Sequence, residues 1–215
     1  MQTAPLSRTK QIIIELLNAS THGIATILSI IGLIVLIFKG IQLESPIAII
    51  AYSVYGISLI LLFLNSTLYH SFSLSKYKPI FQKIDHSSIY LLIAGTYTPY
   101  LMLAIGGLVG YGMLVTIWLL AIAGIIFEIA TIGRWPKLST YLYLGLGWVS
   151  LLIIYPLFKS IELTGLMLLV LGGVTYSIGT IFYRMKHNKW MHIIWHLFVI
   201  GGAAFMFWSI FQYVG

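Results

Sequence analysis

Two histidines four residues apart are the part of this sequence best suited to chemistry. His192 and His196 open an apolar run that extends to Gly215. On an α-helix this spacing places both imidazoles on one face, about 6 Å apart along the axis. Helical histidine pairs of this kind commonly offer two ligands to one metal ion. Because an imidazole pair inside a membrane segment is costly without partners, we interpret the pair as a functional site.

A third imidazole, His70, ends an earlier apolar run and would complete a set of metal ligands. Three protein nitrogens leave the fourth tetrahedral position to water, which is the composition of catalytic rather than structural zinc sites. Zinc is the expected ion because imidazole suits it and nothing in the sequence indicates redox chemistry. The chain has no cysteine, so thiolate ligands and disulfides are excluded. The sequence therefore predicts Zn²⁺ bound by His70, His192 and His196.

Two further side chains could take part in that chemistry. Asp85 could hold the water or act as a general base. Ser66 stands four residues before His70, one turn deeper on the same helix face, and could hydrogen-bond the water or stabilise an oxyanion. Both residues have structural alternatives, since aspartate is a favoured helix N-cap and serine often packs between membrane helices.

Three more polar residues have less defined roles. His86 follows Asp85 and points about 100° away on a helix, so we expect it to support the site or to lie at the membrane interface. Glu15 and His22 are seven residues apart, which is two turns along one helix face. They are expected to pair with each other as a structural element.

The elements that must position these residues are membrane helices. Of 215 residues, 60% are apolar and only 8% are charged, against roughly 25% charged in a soluble domain. Such a chain cannot cover a water-facing surface, and its length fits about seven spans of ~20 residues with short loops. The predicted fold class is therefore all-α, a single integral membrane domain forming a seven-transmembrane-helix bundle over residues 1–215. The spans are predicted at about 19–38, 46–70, 85–105, 111–132, 140–158, 163–183 and 191–213, after an interfacial amphipathic segment at 10–17.

The basic residues predict the orientation. The N-terminus and the loops after spans two, four and six carry Arg8, Lys10, Lys76, Lys78, Lys83, Arg134, Lys137, Arg184, Lys186 and Lys189. The opposite side carries Lys39 and Lys159. By the positive-inside rule the N-terminus is cytoplasmic and the C-terminus lies outside, so every site residue falls in the inner half of the membrane. The net charge of +7 then reflects topology and contact with anionic headgroups rather than nucleic-acid binding.

Three segments resemble a known family. The run Ser66–His70, the block from Asp85 to Pro99 and the paired His192 and His196 are similar to the hemolysin III family. That family is the bacterial branch of the progestin and adipoQ receptor family, which includes the adiponectin receptors and is related to alkaline ceramidases. The resemblance implies a seven-helix bundle in the bacterial inner membrane with zinc near the inner leaflet. By similarity, the ligands and the residues beside them would be His70, His192, His196, Asp85 and Ser66.

The sequence leaves three functions open. The three-histidine site with a carboxylate and a serine favours a zinc-dependent hydrolase of a lipid amide or ester bond, acting in membrane lipid homeostasis. An alternative is a lipid-responsive sensor or regulator in which zinc is structural and clamps spans two and seven. A pore-forming cytolysin is suggested by the family name, but a conducting monomer needs polar residues through the full membrane depth, and the outer halves have almost none. The expected partners are membrane lipids and a lipid substrate or ligand.

Overall fold

Helices make up the regular structure of the described residues, which are 7–131, 134–185 and 187–215 of the computed structural model. The helices are α1 (Arg8–Gln42), α2 (Pro46–Ser71), α3 (Lys78–Pro99), α4 (Gly107–Thr131), α5 (Pro136–Trp148), α6 (Ile154–Ser160), α7 (Leu163–Arg184) and α8 (Trp190–Tyr213). A π-helical turn, Tyr100–Ile105, extends α3, and a 3-10 turn, Val149–Ile153, joins α5 to α6.

Within these ranges, seven segments are long and apolar enough to cross a membrane. They are α1, α2, α3 with its π-helical turn, α4, the α5–α6 pair, α7 and α8. The outward face of α1 shows what surrounds them, because Ile24, Ile27 and Ile31 are all more than half exposed. Apolar side chains on the outside suit a lipid environment. The prediction of an all-α fold with seven spans is therefore confirmed.

The first helix begins earlier than the sequence predicted. It runs without a break from Arg8, and the Ser7 hydroxyl caps it by accepting a hydrogen bond from the Lys10 amide. Residues 10–17 therefore form the first turns of α1 rather than a separate interfacial segment. As a consequence, Glu15 belongs to the bundle.

The third helix also begins earlier than predicted, at Lys78 instead of near residue 85. Pro79 stands in its first turn, where a missing backbone N–H removes no hydrogen bond. Asp85 therefore lies about two turns inside α3, and its alternative role as the N-cap is wrong.

The fifth span is interrupted, although the sequence predicted one continuous helix there. The chain changes from α5 to the 3-10 turn Val149–Ile153 and then to α6. Tyr97 of α3 supports this break, since its hydroxyl donates to the Gly147 carbonyl and accepts from the Ser150 amide, both at 2.6 Å. Irregular backbone at membrane depth is stable only when protein groups satisfy it in this way.

The first and last helices are neighbours, because α1 packs against both α2 and α8. A polar contact joins them at one end of the bundle, where the Lys39 ammonium donates to the carbonyls of Phe211 at 2.8 Å and Val214 at 2.7 Å. The Tyr52 hydroxyl of α2 donates to the same Val214 carbonyl. A cation at the C-terminus of a helix satisfies its last carbonyls and its dipole. This contact fixes the far end of α8.

The other end of the bundle holds the predicted site. There α1, α3 and α8 begin and α2 and α7 end. We call it the histidine end, because His22, His70, His86, His192 and His196 all lie there.

The orientation can be tested with two matched cysteines, because the chain has none of its own. Ser71 ends α2 at the histidine end and Ser160 ends α6 at the opposite end, and both are exposed. The basic residues predict a cytoplasmic histidine end. In intact bacterial cells a membrane-impermeant maleimide should label Ser160→Cys, and it should label Ser71→Cys only after permeabilisation. The reverse pattern would contradict the orientation.

Adjacent glycines on α7 provide a test of the helix packing. A Cβ on Gly172 would lie 2.7 Å from Met206 Cγ and 3.1 Å from the Gly202 carbonyl oxygen, both on α8. A Cβ on Gly173 would meet nothing closer than the Trp148 ring at 3.8 Å. We expect Gly172→Ala to destabilise the fold by about 1–3 kcal/mol through overpacking, whereas Gly173→Ala is neutral or slightly stabilising. Unfolding in mixed detergent measures both, and equal effects would contradict the packing.

Candidate metal centre

The structure brings the three predicted ligands together at the histidine end. One nitrogen from each of His70, His192 and His196 lies within 4.8 Å of the others. The Nε2 atoms of His70 and His192 are 3.3 Å apart. A tetrahedral zinc site with Zn–N distances of about 2.0–2.1 Å separates two nitrogen ligands by about 3.3 Å. The spacing of this pair therefore suits a shared metal ion.

A carboxylate orients the first of these rings. Glu15 Oε2 lies 2.7 Å from His70 Nδ1. A carboxylate only accepts hydrogen bonds, so the proton sits on Nδ1 and the Nε2 lone pair of His70 points toward the other imidazoles. Glu15 thus pairs with His70, and the predicted pairing of Glu15 with His22 is wrong.

A threonine orients the ring of His196, and nothing in the sequence singled it out. The Thr21 hydroxyl donates its only hydrogen to the Asn18 carbonyl at 2.9 Å. It must therefore accept from His196 Nδ1, which is 3.2 Å away. This assigns the proton of His196 to Nδ1 and leaves its Nε2 as a lone pair as well. Hydrogen bonds of this kind to the remote ring nitrogen are usual for metal-binding histidines.

The three imidazoles are better arranged to bind a divalent metal ion than to hydrogen-bond to one another. Two of the three imidazoles present lone pairs to the centre, and His192 has at most one Nε2 proton to share between them. His70 and His196 are both buried, at 4% and 1% exposure. Neutral imidazole nitrogens are good ligands for zinc and its neighbours in the first transition series. The three histidines could therefore hold one metal ion.

The two residues predicted beside the metal lie along one cavity that also reaches the imidazoles. Asp85 and Ser66 line this space of about 170 Å³ together with His192 and His196. Ser66 is buried on α2, one turn from His70 as its spacing predicts. A carboxylate, a hydroxyl and two of the candidate ligands thus line one cavity.

His86 lies beside Asp85 rather than within the histidine cluster. Its Nδ1 is 3.5 Å from Asp85 Oδ2, and its Nε2 is 3.4 Å from the Tyr183 hydroxyl. His86 therefore lies next to Asp85 and outside the group of three candidate ligands.

His22 packs directly on a candidate ligand. Its ring stacks on that of His196 with centroids 3.6 Å apart and an angle of 11° between the planes. It is 3% exposed, and neither of its nitrogens has a hydrogen-bond partner within the described residues. His22 therefore packs behind the candidate ligand His196, and part of its side chain lines the cavity.

The imidazoles separate two cavities of different character. The first, which we call the inner cavity, runs from Asp85 and Ser66 toward the opposite end of the bundle and is lined mainly by apolar residues such as Leu92, Leu157 and Val199. The second, about 260 Å³, lies at the histidine end; among its lining residues are Glu15, Asn18, His70, Lys78, Gln82 and Lys189. His86, Tyr183 and His192 line both. A polar and an apolar compartment therefore meet at the candidate metal centre.

Comparison with known proteins gives the family. The family model described as "Haemolysin-III related" matches residues 10–207. The chain belongs to the hemolysin III family. It is 46% identical over 199 residues to "Hemolysin-3 homolog" of Bacillus subtilis (strain 168), covering 93% of both chains. It is also 46% identical over 200 residues to "Hemolysin-3" of Bacillus cereus, covering 93% of this chain and 91% of that one.

A more distant relative is animal. "Monocyte to macrophage differentiation factor" of Homo sapiens is 30% identical over 167 residues, covering 75% of this chain and 69% of the human one. That protein is a member of the progestin and adipoQ receptor family, so the wider resemblance suggested by the sequence is also confirmed. Together with the seven spans, these relatives identify a multi-pass membrane protein.

The contact between Glu15 and His70 predicts an effect on metal binding. We expect Glu15→Ala to lower the affinity of the purified protein for Zn²⁺ about 10- to 100-fold, because His70 loses the acceptor that fixes its tautomer and ring orientation. Competition with a chromophoric chelator measures the affinity. Glu162→Ala is the control, since this exposed carboxylate precedes α7 at the opposite end. Equal affinities in Glu15→Ala and the wild type would contradict the assigned role.

Proposed function

We propose that this protein is a zinc-dependent hydrolase of an amide or ester bond in a membrane lipid. It would act in the bacterial inner membrane, with the histidine end facing the cytoplasm. The observation that carries the proposal is the meeting of His70, His192 and His196 at the head of an apolar cavity. Zinc held there would supply polarisation of a carbonyl group and activation of water.

The side chains around the ligands supply the remaining functions of a hydrolase. The Asp85 carboxylate faces the inner cavity and would accept the proton of the attacking water, after which it could return the proton to the leaving group. The Ser66 hydroxyl would donate a hydrogen bond to the oxygen that gains negative charge. His86 would hold Asp85 in place from its other side.

The inner cavity accounts for the lipid part of the proposal. Its apolar lining comes from α2, α3, α6, α7 and α8, including Leu62, Leu92, Leu157, Leu169 and Val199. Such a lining favours a hydrocarbon chain over water. A chain lying there would place a carbonyl near its polar end beside the imidazoles, where water exclusion strengthens each polar contact.

Turnover with matched histidine variants tests the proposal. Purified, zinc-loaded protein should release fatty acid from at least one member of a panel of lipid amides and esters, as detected by mass spectrometry. His196→Ala should lower the rate at least 100-fold, and Asp85→Asn should do so without loss of zinc. His187→Ala should leave the rate unchanged, because this histidine lies exposed in the connection after α7.

Chelation gives a second arm of the same experiment. Removing zinc should abolish the release of fatty acid, and adding zinc back should restore it. Zinc-loaded wild-type protein that stays inert on the whole panel, or His196→Ala at full rate, would overturn the proposal.

A second candidate function is a lipid-responsive regulator with structural zinc. One observation favours it: the cluster joins α2 to α8, and residues of α1 hydrogen-bond to the rings of His70 and His196. A metal ion there would lock three helices together whether or not it had a catalytic role. A large loss of thermal stability on chelation, combined with an absence of turnover, would favour this function over the hydrolase.

A further inference from the structure

The cavity at the histidine end has no role in the chemistry proposed above. We call it the vestibule, defined by its volume of about 260 Å³ and by lining residues that include Lys78, Gln82, Asn188, Lys189 and Asn18. Its walls come from α1, α2, α3, the end of α7, the connection after it and the start of α8. The side chains facing it differ sharply from the apolar lining of the inner cavity.

Positive charge predominates around the vestibule. Lys78 and Lys189 both line it, and the carboxylate of Glu15, which lies on its wall, is hydrogen-bonded to His70. Lys78 is the first residue of α3 and Lys189 directly precedes α8. Neither helix has an acidic residue in its first turn or a cap from its N-cap side chain, so the positive ends of both helix dipoles add to the charge of the lysines.

Neutral groups beside the lysines can also bind a ligand. The side-chain Oδ1 of Asn188 accepts from the Trp190 backbone amide at 3.1 Å, which leaves the two hydrogens on Asn188 Nδ2 as donors. Gln82 stands one turn after Lys78 on the same face of α3. The vestibule therefore presents two cations together with neutral hydrogen-bond donors.

The vestibule and the inner cavity share part of their walls. His86, Tyr183 and His192 each line the vestibule on one side and the inner cavity on the other. A molecule with an anionic head in the vestibule and a hydrocarbon chain in the inner cavity would lie against these three shared side chains, beside the metal ligands. Two lysine ammonium groups suit a phosphate, which Lys binds as a point charge.

We propose that the vestibule binds the phosphate headgroup of a single-chain membrane lipid whose chain lies in the inner cavity. The further step that this same lipid is cleaved rests on the proposed hydrolase function. Binding of the lipid does not depend on that function. The selectivity for a phosphate headgroup comes from Lys78 and Lys189.

Binding of ether-linked lipids tests this without any turnover. Hexadecylglycerol phosphate and the neutral hexadecylglycerol have the same chain and no carbonyl, so a failed hydrolase proposal would leave this measurement intact. For the full-length protein in a nonionic detergent, native mass spectrometry should show the phosphate lipid binding at least about tenfold tighter than the neutral one. The double variant Lys78→Gln with Lys189→Gln should lose that preference, and the double Lys→Arg variant should retain it.

Two controls decide where and how the lipid binds. Lys76→Gln should behave as the wild type, because Lys76 is exposed over the Tyr77 ring and does not line the vestibule. Glycerol phosphate, which lacks the chain, should bind far more weakly than the lipid. Equal affinities for the two lipids, or an equal loss in Lys76→Gln, would overturn the headgroup site. Glycerol phosphate binding as tightly as the lipid would mean that the vestibule takes a soluble anion and would overturn the lipid assignment.

Discussion

The structure depends on an electrostatic constraint, namely that buried, unprotonated imidazole nitrogens face one another in an apolar bundle. Glu15 and Thr21 direct the protons of His70 and His196 to the remote ring nitrogens. The near nitrogens are then left with each other and with His192. An unsatisfied buried polar group costs about 1–3 kcal/mol, and one shared cation would satisfy several such groups together. The hydrogen bonds around the cluster are therefore arranged as they would be to receive a metal ion.

The helix arrangement places the residues that orient the imidazoles next to them. Placing α1 between α2 and α8 lets one helix brace a candidate ligand on each neighbour. At the opposite end, the Lys39 ammonium holds the last carbonyls of α8 and so restricts sliding of α8 along α1. The same packing leaves a polar space on one side of the imidazoles and an apolar space on the other. A site placed at such a boundary can meet both ends of an amphipathic molecule.

The sequence predicted the cluster itself, because residue type, helical spacing and the side of the membrane suffice to bring His70, His192 and His196 to one end. It did not predict the partners of the rings. Whether Glu15 meets His22 on its own helix or His70 on the next depends on how α1 packs against α2, which no spacing within one helix encodes. Thr21 contacts His196 only because α8 packs beside α1, and the sequence around Thr21 does not indicate that contact. The break in the fifth span likewise depends on a hydroxyl from another helix, that of Tyr97.

The most direct test of the shared metal site is an anomalous-difference map, collected at the zinc edge from crystals of the protein grown with zinc. Zinc held by the three imidazoles should give one strong peak at bonding distance from Nε2 of His70, His192 and His196, with Glu15 and Thr21 still hydrogen-bonded to the Nδ1 atoms of His70 and His196. A map with no peak among the three imidazoles, or with zinc bound elsewhere while the rings point apart, would contradict the shared metal site.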